Sequence, residues 1–230
     1  DNRSNYLKMI DGLVYGNDPK QGYVENNIFY HPVLKFQYPI PQGWDYSNTT
    51  TQVQMAPQGG KALLILTLAQ GNSLKEAAEA FLKQHQLQLI DAYEANVKGL
   101  PAIELYADQV QEQEQQQQQQ QPTVRMLSYF ILYNDLIYQF IGLSAVKDFN
   151  AVLPTFHRSI TNFQQLTDPA KINVKPDRIR IKTISRATTL SQAFRSFGVP
   201  DSQMDQLAIL NSMQLTDQLE SGTMIKIISK

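Results

Sequence analysis

The stretch TVRMLSYFILYNDLIYQFIGLSA, Thr123 to Ala145, limits the possible fold more than any other part of this chain. Two runs rich in aromatic and β-branched residues meet at Asn134-Asp135, residues that tolerate the left-handed backbone a tight turn needs. The pattern predicts an antiparallel hairpin. Sheet-forming segments and helical segments then alternate around it.

KALLILTL, Lys61 to Leu68, is a near-continuous apolar run bounded by glycines, as expected of a central strand. LKFQYPI, Leu34 to Ile40, alternates and predicts an extended strand ending at Pro39 and Pro41. LPAIELYAD, Leu100 to Asp108, reads as a further strand. Between them, GNSLKEAAEAFLKQH opens with Ser73 and Glu76 in capping-box spacing, and Leu74, Ala77, Ala78, Phe81 and Leu82 fall on one helical face. DFNAVLPTFHRSITNF predicts a closing helix with Phe149, Val152, Leu153, Phe156 and Ile160 on one side. Pro154 should kink that helix or mark its start.

Composition divides the chain. Residues 1–30 are turn-rich and read as a connecting segment, and residues 31–166 form a body. Within the body a Gln-rich tract at 111–122 has no apolar face to bury, so it is expected to be a flexible solvent loop. TDPAKINVKPD, residues 167–177, reads as a linker, and residues 178–230 as a small C-terminal domain. The body carries 8 basic and 11 acidic side chains, against 7 and 4 in the C-terminal part. The opposite balances support two units, and a net charge of −1 gives no field that argues for a nucleic-acid partner. The longest apolar run, Ala62 to Ala69, is far too short for a transmembrane segment.

The residues that usually carry catalysis are missing. Cysteine is absent, which removes disulfides, thiolate metal sites and thiol nucleophiles together. His31, His85 and His157 are too far apart in sequence for a helix to offer two of them to one metal, so each reads as a surface or packing residue. No Gly-x-Ser-x-Gly elbow and no phosphate-binding glycine loop is present. Catalytic, cofactor-binding and metal-ligating residues are therefore expected to be none. Trp44 follows a fixed turn after Pro41 and reads as a core plug, with ligand stacking as the alternative.

The opening from Phe36 through Pro39 and Pro41 to Trp44, followed by strand, helix, antiparallel strands and a last helix, resembles the PsbP-like α/β/α sandwich. The likeness covers about residues 33–166. It implies an interaction platform and brings no catalytic residues. A second likeness spans residues 6–44, YLKMIDGLVYGNDPKQGYVENNIFYHPVLKFQYPIPQGW. This segment resembles the region downstream of the peptidase domain in bacterial zinc metallopeptidases of the HtpX and CAAX-prenyl-protease type. In those proteins an upstream His-Glu-x-x-His holds the zinc, and that motif is absent here. The resemblance implies a non-catalytic region of such a protease, with zinc only in the absent peptidase domain.

The last fifty residues carry the third likeness. RIRIKTI alternates as a strand. ATTLSQAFRSFGV follows, with Leu190, Ala193, Phe194 and Phe197 on one face, a Thr189/Gln192 capping box and Gly198 as the stop. PDSQMDQLAILN gives a second helix and SGTMIKII a second strand. This βααβ order, with Thr189-Leu190, Gly198, Leu207, Asn211, Gly222, Ile225 and Ile227, resembles the LysM module. Ala187-Thr188 stand where that family commonly has Gly-Asp, and no aromatic lies in the two loops that would face sugar. The resemblance implies binding of N-acetylglucosamine polymers between those loops. They supply the candidate glycan-binding residues Ser185, Arg186, Thr188, Thr189, Asn211, Met213, Gln214, Leu215 and Thr216.

The expected fold class is therefore α+β, an antiparallel-sheet sandwich followed by a small βααβ domain. The expected function is an accessory region that localises or regulates an exported zinc metalloprotease, with peptidoglycan as the expected ligand of the LysM-like part. The alternative is a protein-interaction module that recognises substrate proteins or docks on the peptidase domain. The chain begins DNRSNYLKMI, without initiator Met or a charged-then-apolar leader, and is expected to be part of an exported bacterial protein of the periplasm or cell envelope.

Overall fold

The computed structural model describes residues 2–110 and 122–230, so all of the Gln-rich tract except Pro122 lies outside the described residues. The chain forms two compact units, one of residues 1–21 with 173–230 and one of residues 22–172. The first thirty residues are thus not one connecting segment. Their first part, including helix α1 (Asn2–Ile10), groups with the C-terminal residues, and their last part supplies two strands to the body.

The body opens with β1 (Tyr23–Glu25) and β2 (Ile28–His31), joined by Asn26-Asn27 with both φ values positive, the backbone of a tight two-residue hairpin. β3 (Phe36–Pro39) follows and ends at Pro39 as its sequence predicts, although Leu34 and Lys35 belong to the turn before it. The main sheet comprises β4 (Trp44–Asn48), β5 (Gln52–Pro57), β6 (Ala62–Leu68), β7 (Gln88–Val97), β8 (Leu100–Val110), β9 (Pro122–Tyr133) and β10 (Leu136–Ala145). Its order is β4-β5-β6-β10-β9-β8-β7, with antiparallel neighbours throughout. The β9–β10 hairpin turns at Asn134-Asp135, both with positive φ, and β6 lies inside the sheet. β7 was not apparent from the sequence.

Helices cover both faces. α2 (Leu74–Gln84) places Ala77, Ala78 and Phe81 against Leu105, Ala107, Met126, Phe130 and Ile137. Ser73 Oγ accepts the Glu76 N–H at 3.1 Å, but the Glu76 carboxylate reaches Asn72 N rather than Ser73 N, so only half of the expected capping box forms. On the other face α3 (Val146–Ile160) packs Phe149, Phe156 and Ile160 into the larger core. Pro154 lies inside this helix and not at its start.

The small sheet β1-β2-β3-β11, with β11 (Gln164–Gln165), packs through aromatics on the same core. The Phe36 ring lies 5.1 Å from Tyr138 and 5.2 Å from Phe163. Trp44 packs edge-on against Phe156 at 6.2 Å, the core role read from its sequence. The predicted linker contains a short helix, α4 (Pro169–Ile172), where Tyr23 Oη donates to the Lys171 carbonyl and Lys171 pairs with Glu25.

In the other unit, residues 178–230 form four strands and two helices. β12 (Arg178–Thr183) pairs with β15 (Met224–Ser229), and between them come β13 (Thr188–Thr189), α5 (Leu190–Ser196), α6 (Asp201–Asn211) and β14 (Gln218–Leu219). Ile184, Leu190, Phe194, Met204, Leu207, Ile225 and Ile227 belong to its core. α5 ends as Gly198 predicts. With φ at +76°, Gly198 N–H donates to Arg195 O and Val199 N–H to Phe194 O, satisfying the last carbonyls of the helix.

The outer edge of β12 is taken by the N-terminal segment. Gly12 N–H donates to Ile179 O at 2.7 Å, Ile179 N–H to Leu13 O at 2.9 Å, and Tyr15 N–H to Asp177 O at 2.7 Å. No helix among the described residues is long and apolar enough to cross a membrane.

Candidate functional site

The candidate glycan-binding residues occupy two loops, and backbone hydrogen bonds join them. Leu190 N–H donates to Asp217 O and Ser191 N–H to Leu215 O, each at 3.0 Å, while β13 pairs with β14. The start of α5 is therefore stitched to the segment after α6, although the two are more than twenty residues apart in sequence.

Within those loops the candidates differ in what they can offer. Thr188 and Thr189 are committed to the helix start. Thr189 Oγ1 accepts the Gln192 N–H at 3.3 Å, and Gln192 Oε1 accepts from Thr188 Oγ1 at 3.0 Å and Thr189 N at 3.4 Å. Met213 and Leu215 are half-buried and pack on the core. Asn211 is buried, its amide holding Leu207 O and both backbone groups of Lys226. Ser185, Arg186, Gln214 and Thr216 are exposed. Gln214 N–H is taken by Asp217 Oδ2 at 2.9 Å, and the residue is exposed.

A second cluster, in the body, joins residues that sequence reading left apart. Glu104 and Tyr106 of β8 alternate onto the α3 face, where Tyr129 of β9 and His157 of α3 meet them. Tyr106 Oη donates to Glu104 Oε1 at 2.6 Å, and His157 Nε2 lies 3.2 Å from Tyr106 Oη and 3.6 Å from Glu104 Oε1. Tyr129 Oη lies 3.4 Å from His157 Nδ1. Because Tyr106 gives its proton to Glu104, the consistent arrangement has Nε2–H directed at Tyr106 Oη and Nδ1 accepting from Tyr129.

Burial, followed by the hydrogen bond to Glu104, raises the Tyr106 phenol well above its ordinary range. Burial, followed by the Glu104 charge, does the same to Tyr129. The cluster is a neutral-phenol network around one carboxylate. It can lock α3 to the sheet.

The other histidines also have local partners. His31 Nδ1 accepts the Leu34 N–H at 3.1 Å, and burial lowers its pKa. The His85 ring lies 5.0 Å from Phe81 at the end of α2. Among the described residues no three His, Asp or Glu side chains converge as metal ligands.

No protein-family model and no curated protein matches this chain. Among solved structures it is similar to cyanobacterial PsbP (CyanoP) from Synechocystis sp. PCC 6803, at 12% identity and a TM-score of 0.46, covering 63% of this chain and 91% of that one. It is also similar to a Bacteroides thetaiotaomicron VPI-5482 protein, at 12% identity and 0.41, covering 68% of this chain and about half of that one, 53%. A Pseudomonas aeruginosa protein of unknown function, PA94, matches at 10% identity and 0.32, covering 58% and 96%. At these scores the likenesses carry no argument about what the chain does.

Proposed function

We propose that this chain is the non-catalytic accessory region of an exported zinc metalloprotease and that its C-terminal unit, read as a LysM-like module, binds N-acetylglucosamine polymers such as peptidoglycan. The observation that carries this reading is the joining of the Ser185–Thr189 and Asn211–Gln218 loops through Leu190, Ser191, Leu215 and Asp217. In this reading the sugar chain lies between those two loops. Exposed Ser185, Arg186, Gln214 and Thr216 supply donors and acceptors suited to N-acetyl amides and hydroxyls.

Zinc and the hydrolytic residues belong, in this reading, to the peptidase domain implied by the likeness of residues 6–44. The body is a PsbP-like platform, and the setting is the periplasm or cell envelope. Sedimentation with purified peptidoglycan tests the glycan part. The full chain should move into the pellet, and a fourfold substitution of the exposed polar residues by Ala should return it to the supernatant. Protein left wholly in the supernatant defeats it.

A second reading is protein recognition by the body, either of substrate proteins or of the peptidase domain. It is favoured by β7, an edge strand of the main sheet among the described residues, where Gln88 to Glu94 are all exposed. Mixing the chain with the isolated peptidase domain separates the readings, since a complex formed without glycan affinity favours this one.

A further inference from the structure

Among the described residues β7 pairs only with β8, and no described strand lies on its other side. The helices pack mainly on strands further in, α2 on β8 and β9 and α3 on β9 and β10. Seven consecutive residues, Gln88 to Glu94, are consequently exposed, and Leu89, Ile90 and Tyr93 are each about half open to solvent.

A long bare edge is a template for another strand, and natural sheets usually blunt such edges with lysine, proline or a covering segment. β7 contains neither lysine nor proline. Its irregularities are a register step between Leu89 and Asp91 and the Ala92 N–H taken by Asp91 Oδ1 at 2.9 Å.

The charge on this edge has one sign. Asp91 and Glu94 lie on β7, with Glu104 and Asp108 on β8, and Lys98 in the connecting turn is the single cation from residue 88 to residue 108. Asp108 is matched by both arms of the Arg125 guanidinium at 2.8 and 2.9 Å. Asp91 receives the Tyr93 hydroxyl and Glu104 the Tyr106 hydroxyl, with His157 Nε2 3.6 Å from Glu104, and among the described residues neither carboxylate pairs with a Lys or Arg.

Two copies joined through β7 would bring two carboxylates from each side together with no cation in either strand, which disfavours self-pairing. A strand with cations at alternate positions does the reverse. The cations would lie beside Asp91 on the face shared with Tyr106 and Glu104, and the intervening aliphatic residues beside Leu89 and Ala92 on the α2 side.

We propose that β7 is a docking edge for an extended segment of a partner protein in which Lys or Arg alternates with aliphatic residues. The inference rests on the protein-recognition reading and names the chemistry of what is recognised. Main-chain hydrogen bonds along β7 hold the segment, and Asp91, with Glu104 on the same face, selects for its charge, while Glu94 lies on the opposite, α2 face and adds only its longer-range field.

Fluorescence anisotropy of the full chain with a labelled peptide of alternating lysine and valine tests it, against a glutamate-valine control. The lysine peptide should bind at least about tenfold more tightly, weaken with salt and slow amide exchange over Gln88–Val97. The double variant D91N/E94Q should lose that preference while its circular dichroism stays unchanged. Equal affinity for the two peptides, no binding, or a preference that survives D91N/E94Q overturns the proposal. So does dimerisation of the variant when the wild-type chain ignores the peptide, because the carboxylates would then only guard the edge. A complex with the peptidase domain in the absence of peptide binding would sink the edge inference and leave protein recognition standing.

Discussion

Asn211 and Lys226 are tied by two hydrogen bonds, the Asn211 Nδ2 donating to the Lys226 carbonyl at 2.8 Å and the Lys226 N–H donating to Asn211 Oδ1 at 2.7 Å. Nδ2 also donates to Leu207 O at 2.8 Å, so one side chain joins the end of α6 to the outer edge of β15. Asn211→Ala leaves buried backbone groups without partners and should destabilise the C-terminal unit by about 2–4 kcal/mol. Urea unfolding followed through β15 amide exchange measures this. A change confined to glycan affinity, with stability intact, would show that Asn211 serves the ligand.

Tyr38 presents the opposite case. Its ring is fully buried, yet among the described residues its hydroxyl has no hydrogen-bond partner. Tyr38→Phe should raise stability by about 1 kcal/mol, since it removes a polar atom buried at a cost. Tyr133→Phe should lower stability by about 1 kcal/mol, because the Tyr133 hydroxyl donates to Lys35 O at 2.7 Å. Thermal unfolding of the pair should show shifts of opposite sign.

Gly142 marks a close approach of β10 to α3. A Cβ there would lie 2.7 Å from Phe156 Cγ, and the Phe156 ring is itself fully buried. Gly142→Ala should therefore cost about 1–3 kcal/mol through overpacking. Phe156→Leu in the same chain should recover part of that loss, giving a non-additive double-mutant cycle. Additive costs would mean that the two positions do not press on each other.

The tyrosines set an alkaline limit. Burial, with a smaller contribution from Tyr133, pushes Tyr138 up to about 12, above the value near 10 that an unfolded chain would show. The folded state therefore keeps this proton longer. Its contribution to stability is complete below about pH 10 and is lost as pH rises towards the folded value. Urea midpoints should fall across that window, and less steeply in Tyr138→Phe. Tyrosinate absorbance showing Tyr138 ionised near pH 10 in the folded chain would contradict this.

Local signals carried much of the fold. Asn134-Asp135 between two long sheet-forming runs, Ser73 at the start of α2, and the Thr189/Gln192 pair all describe contacts a few residues apart, and each is present. β7 was missed because a strand exposed on both faces has no alternation to betray it. The Asn26-Asn27 turn is a local hairpin signal of the same kind as Asn134-Asp135. Of the candidate site, the loops follow from chain order, but the role of Asn211 depends on β15 lying beside α6. The Glu104, Tyr106, Tyr129 and His157 cluster draws on two strands and a helix, so no short window contains it.

The most direct test of the glycan assignment is a residue-resolved titration of the full chain with soluble N-acetylglucosamine oligomers by nuclear magnetic resonance. Amide shifts should move at Ser185–Thr189 and Met213–Gln218 together, with the β4–β10 sheet unchanged. Unmoved resonances in both loops, or perturbations centred on the sheet, would contradict it.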